Sequence, residues 1–132
     1  MSRRFRISSI FPESTRLTAF NTDLSFWESL RNIEEEMFYD DMIKCVVDVR
    51  KELVAINADL HSDLEQLLLN NGSDQHDLYG INILYDLWEK EYDSLINPPR
   101  NREAGYPRVG RYVADPEARK KIEEVVNKWI AL

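Results

Sequence analysis

Apolar positions along the chain switch between helical and strand-like periods, and a few strong stops separate them. From about Leu24 to Met37 the period is helical: Trp27, Leu30, Ile33 and Met37 recur on one face, interrupted by Glu34. Ser25-x-x-Glu28 offers a capping box for this helix, with Thr22 and Asp23 as competing caps. The runs MIKCVVDV and ELVAI then change to period two. Ile43, Cys45, Val47 and Val49 alternate with Met42, Lys44, Val46 and Asp48, and the β-branched enrichment predicts two strands joined by a tight turn at Asp48–Glu52. The rival pattern is one unbroken helix from about Asp40 to Leu60. Val46, Val47 and Val49 weigh against it, because β-branched side chains lose rotamer freedom in a helix.

Ser62-x-x-Glu65 is a second capping box, followed by the apolar stripe Leu64, Leu67 and Leu68 and a left-handed stop at Asn70-Asn71-Gly72. LYGINILY resumes the strand period, with Tyr79, Ile81, Ile83 and Tyr85 against Leu78, Gly80, Asn82 and Leu84. After the short connection LWEK, EYDSLIN completes a second hairpin. Residues 98–114 read as a loop rich in Pro, Gly and Arg. Asp115-Pro116 starts the last helix, with Asp as cap and Pro at the first helical position. Ile122, Val125, Val126, Trp129 and Ile130 give that helix one apolar face. The expectation is an α+β fold of order α-β-β-α-β-β-α, with about four antiparallel strands in two hairpins and helices packed on one face. Residues 22–132 form a single domain in this reading. Residues 1–21 are a basic arm, partly disordered or packed on the body.

Charge adds an asymmetry. The whole chain is acidic, at −7, which argues against generic nucleic-acid binding by the body. Residues 1–16 nevertheless carry Arg3, Arg4, Arg6 and Arg16 against Glu13 alone, a net of +3, so the rest of the −7 chain carries −10. A basic arm on an acidic body suits an acidic protein partner or nucleic acid. The single cysteine, Cys45, excludes an internal disulfide and lies in an apolar run, as a small buried hydrophobe does. No apolar run approaches the ~20 residues of a membrane helix, and the N-terminal arginines lack the apolar stretch of a secretory signal. A cytoplasmic protein with no membrane role is expected.

Candidate chemistry gathers at the joints between elements. His61, Asp63, Ser73, Gln75 and Asn82 flank the two ends of the short helix. His61 oriented by Asp63 is a candidate base, and Ser73 a candidate nucleophile if that base reaches it. Caps and turns account for the same residue types without further assumption. His76-Asp77 beside His61 invites a metal hypothesis, but the chain has neither H-x-x-x-H nor CxxC, so no metal site is expected. No cofactor fingerprint occurs. The loop with Arg100, Arg102, Arg108 and Arg111 interleaves Tyr106 and Tyr112, a composition suited to phosphate, RNA or protein contacts. Trp88, if exposed, is a further anchor for a partner.

The run from Ile43 onward resembles a small uncharacterised prokaryotic family, domain of unknown function 5674. The matching residues are Val46-Val47-Asp48, Leu60-His61-Ser62-Asp63, Gly72-Ser73, Gln75, Leu78, Gly80-Ile81-Asn82, Asp93-Ser94-Leu95-Ile96-Asn97, and Asp115-Pro116-Glu117 with Arg119. The resemblance covers about residues 24–131. It departs where the family's Gly-Gly is Asn57-Ala58, where its Trp is Tyr79, and in a longer loop that keeps Asn101-Arg102. It speaks to organisation far more than to function. The sequence thus favours a small non-enzymatic interaction module that binds a protein partner, or nucleic acid, through the arginine-tyrosine loop and the basic arm. The alternative is a small hydrolase built on His61, Asp63 and Ser73.

Overall fold

The computed structural model describes residues 9–11, 42–56, 58–84 and 89–129. The expected first helix over 24–37, most of the arm and Trp88 lie outside the described residues. Among the described residues one antiparallel sheet contains β1 (Ser9–Phe11), β2 (Ile43–Asp48), β3 (Leu53–Ile56), β4 (Leu78–Leu84) and β5 (Glu89–Glu91), in the spatial order β1-β3-β2-β4-β5. The α-helices among the described residues are α1 (His61–Asn70), α2 (Asn97–Glu103) and α3 (Pro116–Trp129), and a short 3-10 turn spans Gln75–Asp77. The α+β class and the two hairpins, β2–β3 and β4–β5, are those the hydrophobic pattern predicts. A short piece of the arm also joins the sheet, with Ile10 opposite Ala55 on β3.

The first hairpin turns without glycine. The buried Asp48 carboxylate accepts the backbone N–H groups of Arg50 and Lys51 at 2.9 and 2.8 Å, and Glu52 takes the left-handed conformation at φ 61°. From β3 the chain crosses over β2 through α1 to reach β4, so β2 becomes the central strand. It is buried on both sides. Ile43, Cys45 and Val47 pack with Val54, Ile56, Ile81 and Ile83 under α3, which contributes Ile122, Val125 and Val126. Val46, Ala55 and Leu78 point the other way, against Leu64 and Leu68 of α1 and against Ile96. Packing of helices on one face is therefore half of the arrangement, since helices cover both faces. The physical reason is the continuous run Cys45-Val46-Val47, which would leave valine in water if either face were open.

Three local expectations change. α1 starts at His61, its N-cap is Leu60, and no side chain caps it, so Ser62 lies within the first turn. Glu65 turns instead to Arg100. The stop at Gly72 holds, with φ 97° and its N–H bonded to Leu69 O. The second hairpin closes early on Glu89–Glu91, a short charged edge strand, and the chain then bends at Ser94–Ile96 in place of the expected strand over EYDSLIN. The loop expected from residue 98 begins with α2. Pro98 and Pro99 occupy its first turn, where a missing N–H costs no helical hydrogen bond.

Candidate functional site

Chemistry concentrates along one edge of the α1 face, where β4, the Asp93–Ile96 bend and the loop after α2 meet. Gly80 of β4 sets the spacing. Asn97, the first residue of α2, pairs its amide with the Gly80 backbone in both directions: Gly80 N–H donates to Asn97 Oδ1 at 2.8 Å, and Asn97 Nδ2 donates to Gly80 O at 2.9 Å. This side chain thus acts as a short strand beside β4. Ser94 is fully buried at the same place, and its Oγ accepts the N–H of Ile96 at 3.2 Å.

His61 lies against this junction. Its Nε2 is 2.8 Å from Ile81 O. A carbonyl only accepts, so Nε2 carries the proton and Nδ1 holds the lone pair. Burial pushes the His61 pKa down to about 4, and the positive charges of Lys44 and Arg111 add to that effect against the Ile81 hydrogen bond and Asp93. The imidazole is neutral at pH 7.

The structure does not assemble the His61–Asp63–Ser73 cluster. Asp63 is exposed on the first turn of α1. Ser73 lies past the other end of the helix, whose ten residues span ~15 Å. Its hydroxyl donates to the buried Asp48 carboxylate at 2.6 Å. With Arg50 N–H and Lys51 N–H also bonded to Asp48, this group ties the hairpin turn to the end of α1. Gln75 reaches Glu65 at 3.4 Å on the surface. Asn82 is buried, donates to Glu91 Oε1 at 2.9 Å and Asp93 O at 3.3 Å, and leaves Oδ1 without a hydrogen-bond partner. Asp74, His76 and Asp77 bring ligand-type atoms within 4.8 Å of one another, away from His61. Arg50 already bonds both carboxylates, at 3.3 and 2.9 Å, so the group is an ion-pair cluster. Burial pushes the Cys45 thiol pKa up, which keeps it protonated and inert.

The four arginines separate into different roles. Arg100 is buried, donates its Nε to Leu78 O at 2.8 Å and pairs with Glu65. It locks α2 to α1 and β4. Arg102 and Arg108 are exposed, and Arg111 pairs with Asp93 at 2.7 Å while half exposed. Around them residues 104–112 form an ordered loop. Asn101, buried at 2% exposure, donates Nδ2 to Gly110 O at 2.8 Å and Tyr112 O at 2.6 Å, and its Oδ1 receives Ala114 N–H at 3.0 Å. Its backbone carbonyl receives Tyr106 N–H at 2.8 Å. Asn97 Nδ2 and Ser94 N–H both bond Arg111 O. The loop therefore holds Tyr106, Val109 and Tyr112 in solvent on a fixed backbone, at 38–46% exposure. Tyr112 stacks edge-on with Tyr92 and lies under the Arg119 guanidinium.

Sequence reasoning missed Asp48, Asn97 and Ser94, and it read Arg100 as a surface group. Asn97 and Asn101, one helical turn apart, are the only advance signal of the anchored loop. No helix among the described residues is long and apolar enough to cross a membrane. No curated protein and no solved structure matches the chain. The family described as protein of unknown function (DUF5674) matches residues 24–129, which include every described helix and all strands but β1. The chain belongs to that family.

Proposed function

We propose that this chain is a small non-enzymatic module that binds an acidic protein partner through residues 102–112. The observation that supports this reading is the anchoring by Asn101, which ties three loop backbone groups to one buried amide. A loop already ordered loses little conformational entropy on binding. Tyrosine and arginine are the residues that dominate binding energy at interfaces. Arg102, Arg108 and Arg111 outnumber Glu103 in this segment, so an acidic surface is its complement. A cytoplasmic location fits the buried, unpaired Cys45.

The test is capture from the source organism by the full chain. A partner should bind at low salt, elute as salt rises, and be lost with Arg102→Glu, Arg108→Glu and Tyr106→Ala combined, in a protein of unchanged thermal stability. Capture that survives these changes removes the loop from the interface. Release by nuclease would replace the protein partner with nucleic acid.

A further inference from the structure

A cavity of about 320 Å³ opens beside the start of α1, lined by Lys44, His61, Ser62 and Arg111 together with apolar surface from Leu60, Leu95 and Ile96. The docking loop touches it only through Arg111. Its wall offers no spare charge to hold an ion. Asp93 accepts from Arg111 Nε at 2.7 Å, and Lys44 has an interaction of its own. What the two side chains give the cavity is their aliphatic stems and, from Arg111, the terminal guanidinium nitrogens as hydrogen-bond donors.

The imidazole adds one directed acceptor. Its Cδ2–Nε2 edge faces the sheet, since Nε2 bonds Ile81 O and Cδ2 lies 3.1 Å from the position of a Cβ on Gly80. The ring atom opposite that edge is Nδ1, which holds the lone pair. Among the described residues no donor reaches it, although His61 is buried to 7% exposure. Asn82 Oδ1 is the one sealed side-chain polar atom left without a partner among those residues, so Nδ1 opens onto the cavity. At the mouth, Leu95 and Leu60 hold aliphatic side chains in water at 74% and 53% exposure, while Ile96 closes the apolar side at 8%. Exposed leucines at the rim of a cavity mark a surface that gains by being covered.

We propose that this cavity binds a small uncharged amide with a branched aliphatic chain. The amide N–H donates to His61 Nδ1, its carbonyl accepts from the terminal nitrogens of Arg111, and the chain covers Leu60, Leu95 and Ile96. An acceptor and a donor side by side on the wall match the two ends of an amide. A carboxylate matches them poorly, because it sets an oxygen lone pair against Nδ1. The volume is that of a site for a free small molecule.

Titration of the full chain with isovaleramide, followed by amide and imidazole NMR, tests this. Saturable shifts are expected at Ser62, Leu95, Arg111 and the His61 ring. N,N-dimethylisovaleramide, without an N–H, and isovalerate, charged and without the donor, should each bind about fivefold more weakly or worse. Acetamide, without the branched chain, should lose about tenfold or more. Leu95→Ala removes an exposed side chain, and Arg111→Met keeps the stem but not the donors. Each should weaken isovaleramide by about threefold or more while the rest of the spectrum is retained. Absence of saturation with wild type, isovalerate bound as tightly as the amide, or indifference to both substitutions overturns the proposal. Tighter binding of N-acetyl-leucine N-methylamide than of isovaleramide also overturns it, in favour of a peptide segment.

Discussion

Gly80 and Ser94 approach so closely that no side chain fits between them: a Cβ on Gly80 would lie 2.4 Å from Ser94 Oγ and 2.5 Å from Ser94 Cβ. The Asn97 amide grips the same Gly80 backbone, so the bend after β5 and the start of α2 are both seated on this one residue. Gly80→Ala should destabilise the protein by ~1–3 kcal/mol or more through overpacking. Adding Ser94→Gly should recover part of that loss, which a double-mutant cycle in denaturant reads directly. Additive effects would mean that the two residues are not in contact.

His61 should impose a pH dependence on stability. Its folded pKa, about 4, lies below the ordinary histidine value of 6.5. Protonation therefore favours the unfolded chain. The stability associated with the neutral ring is complete above pH ~6.5 and falls as pH drops toward 4, with a total of about 3 kcal/mol. His61→Gln keeps a donor near Ile81 O and does not titrate. The difference between wild-type and variant stability, measured from pH 7 to 4, should shift against wild type by that order. A constant difference would show that the ring is not buried neutral.

The Ser73–Asp48 bond is assigned here to the fold. Ser73→Ala should cost ~1–3 kcal/mol, the usual penalty for leaving a buried polar group short of a partner. If the loss exceeds the effect of changing the exposed Asp63 to Ala, the joint is structural as described. Equal, negligible losses would contradict it.

On the opposite face of the sheet, Ile122 of α3 is fully buried against β2 and β3. Ile122→Ala should cost ~2–5 kcal/mol. A wild-type denaturant midpoint would place α3 away from the sheet.

Much of this architecture is legible in the chain because its causes are local. Asp115 caps α3 through its side chain, accepting Glu117 N–H at 3.1 Å, and Pro116 follows where helices begin. Gly72 stops α1 because it alone takes positive φ there without strain. The turn after Asp48 lacks the usual glycine signal because an aspartate carboxylate does the same work from the side chain. What the sequence hides is non-local. Asp48 meets Ser73 across 25 residues, and Arg100 meets Glu65 across 35. His61 binds a backbone carbonyl, which has no residue type to recognise. Burial of Arg100 runs against its ordinary exposure, and α2 was masked by Pro98 and Pro99, which read as loop until they are seen to occupy a first turn.

The proposed docking requires residues 104–112 to be a loop ordered before binding and fastened by Asn101. Amide hydrogen exchange at Tyr106 and Ala114, whose N–H groups bond the Asn101 carbonyl and side chain, tests it most directly. Both amides should exchange far more slowly than an unstructured peptide, and Asn101→Ala should release Ala114 while β2 and β4 stay protected. Exchange of both amides at the unstructured rate in the wild-type protein would contradict the account.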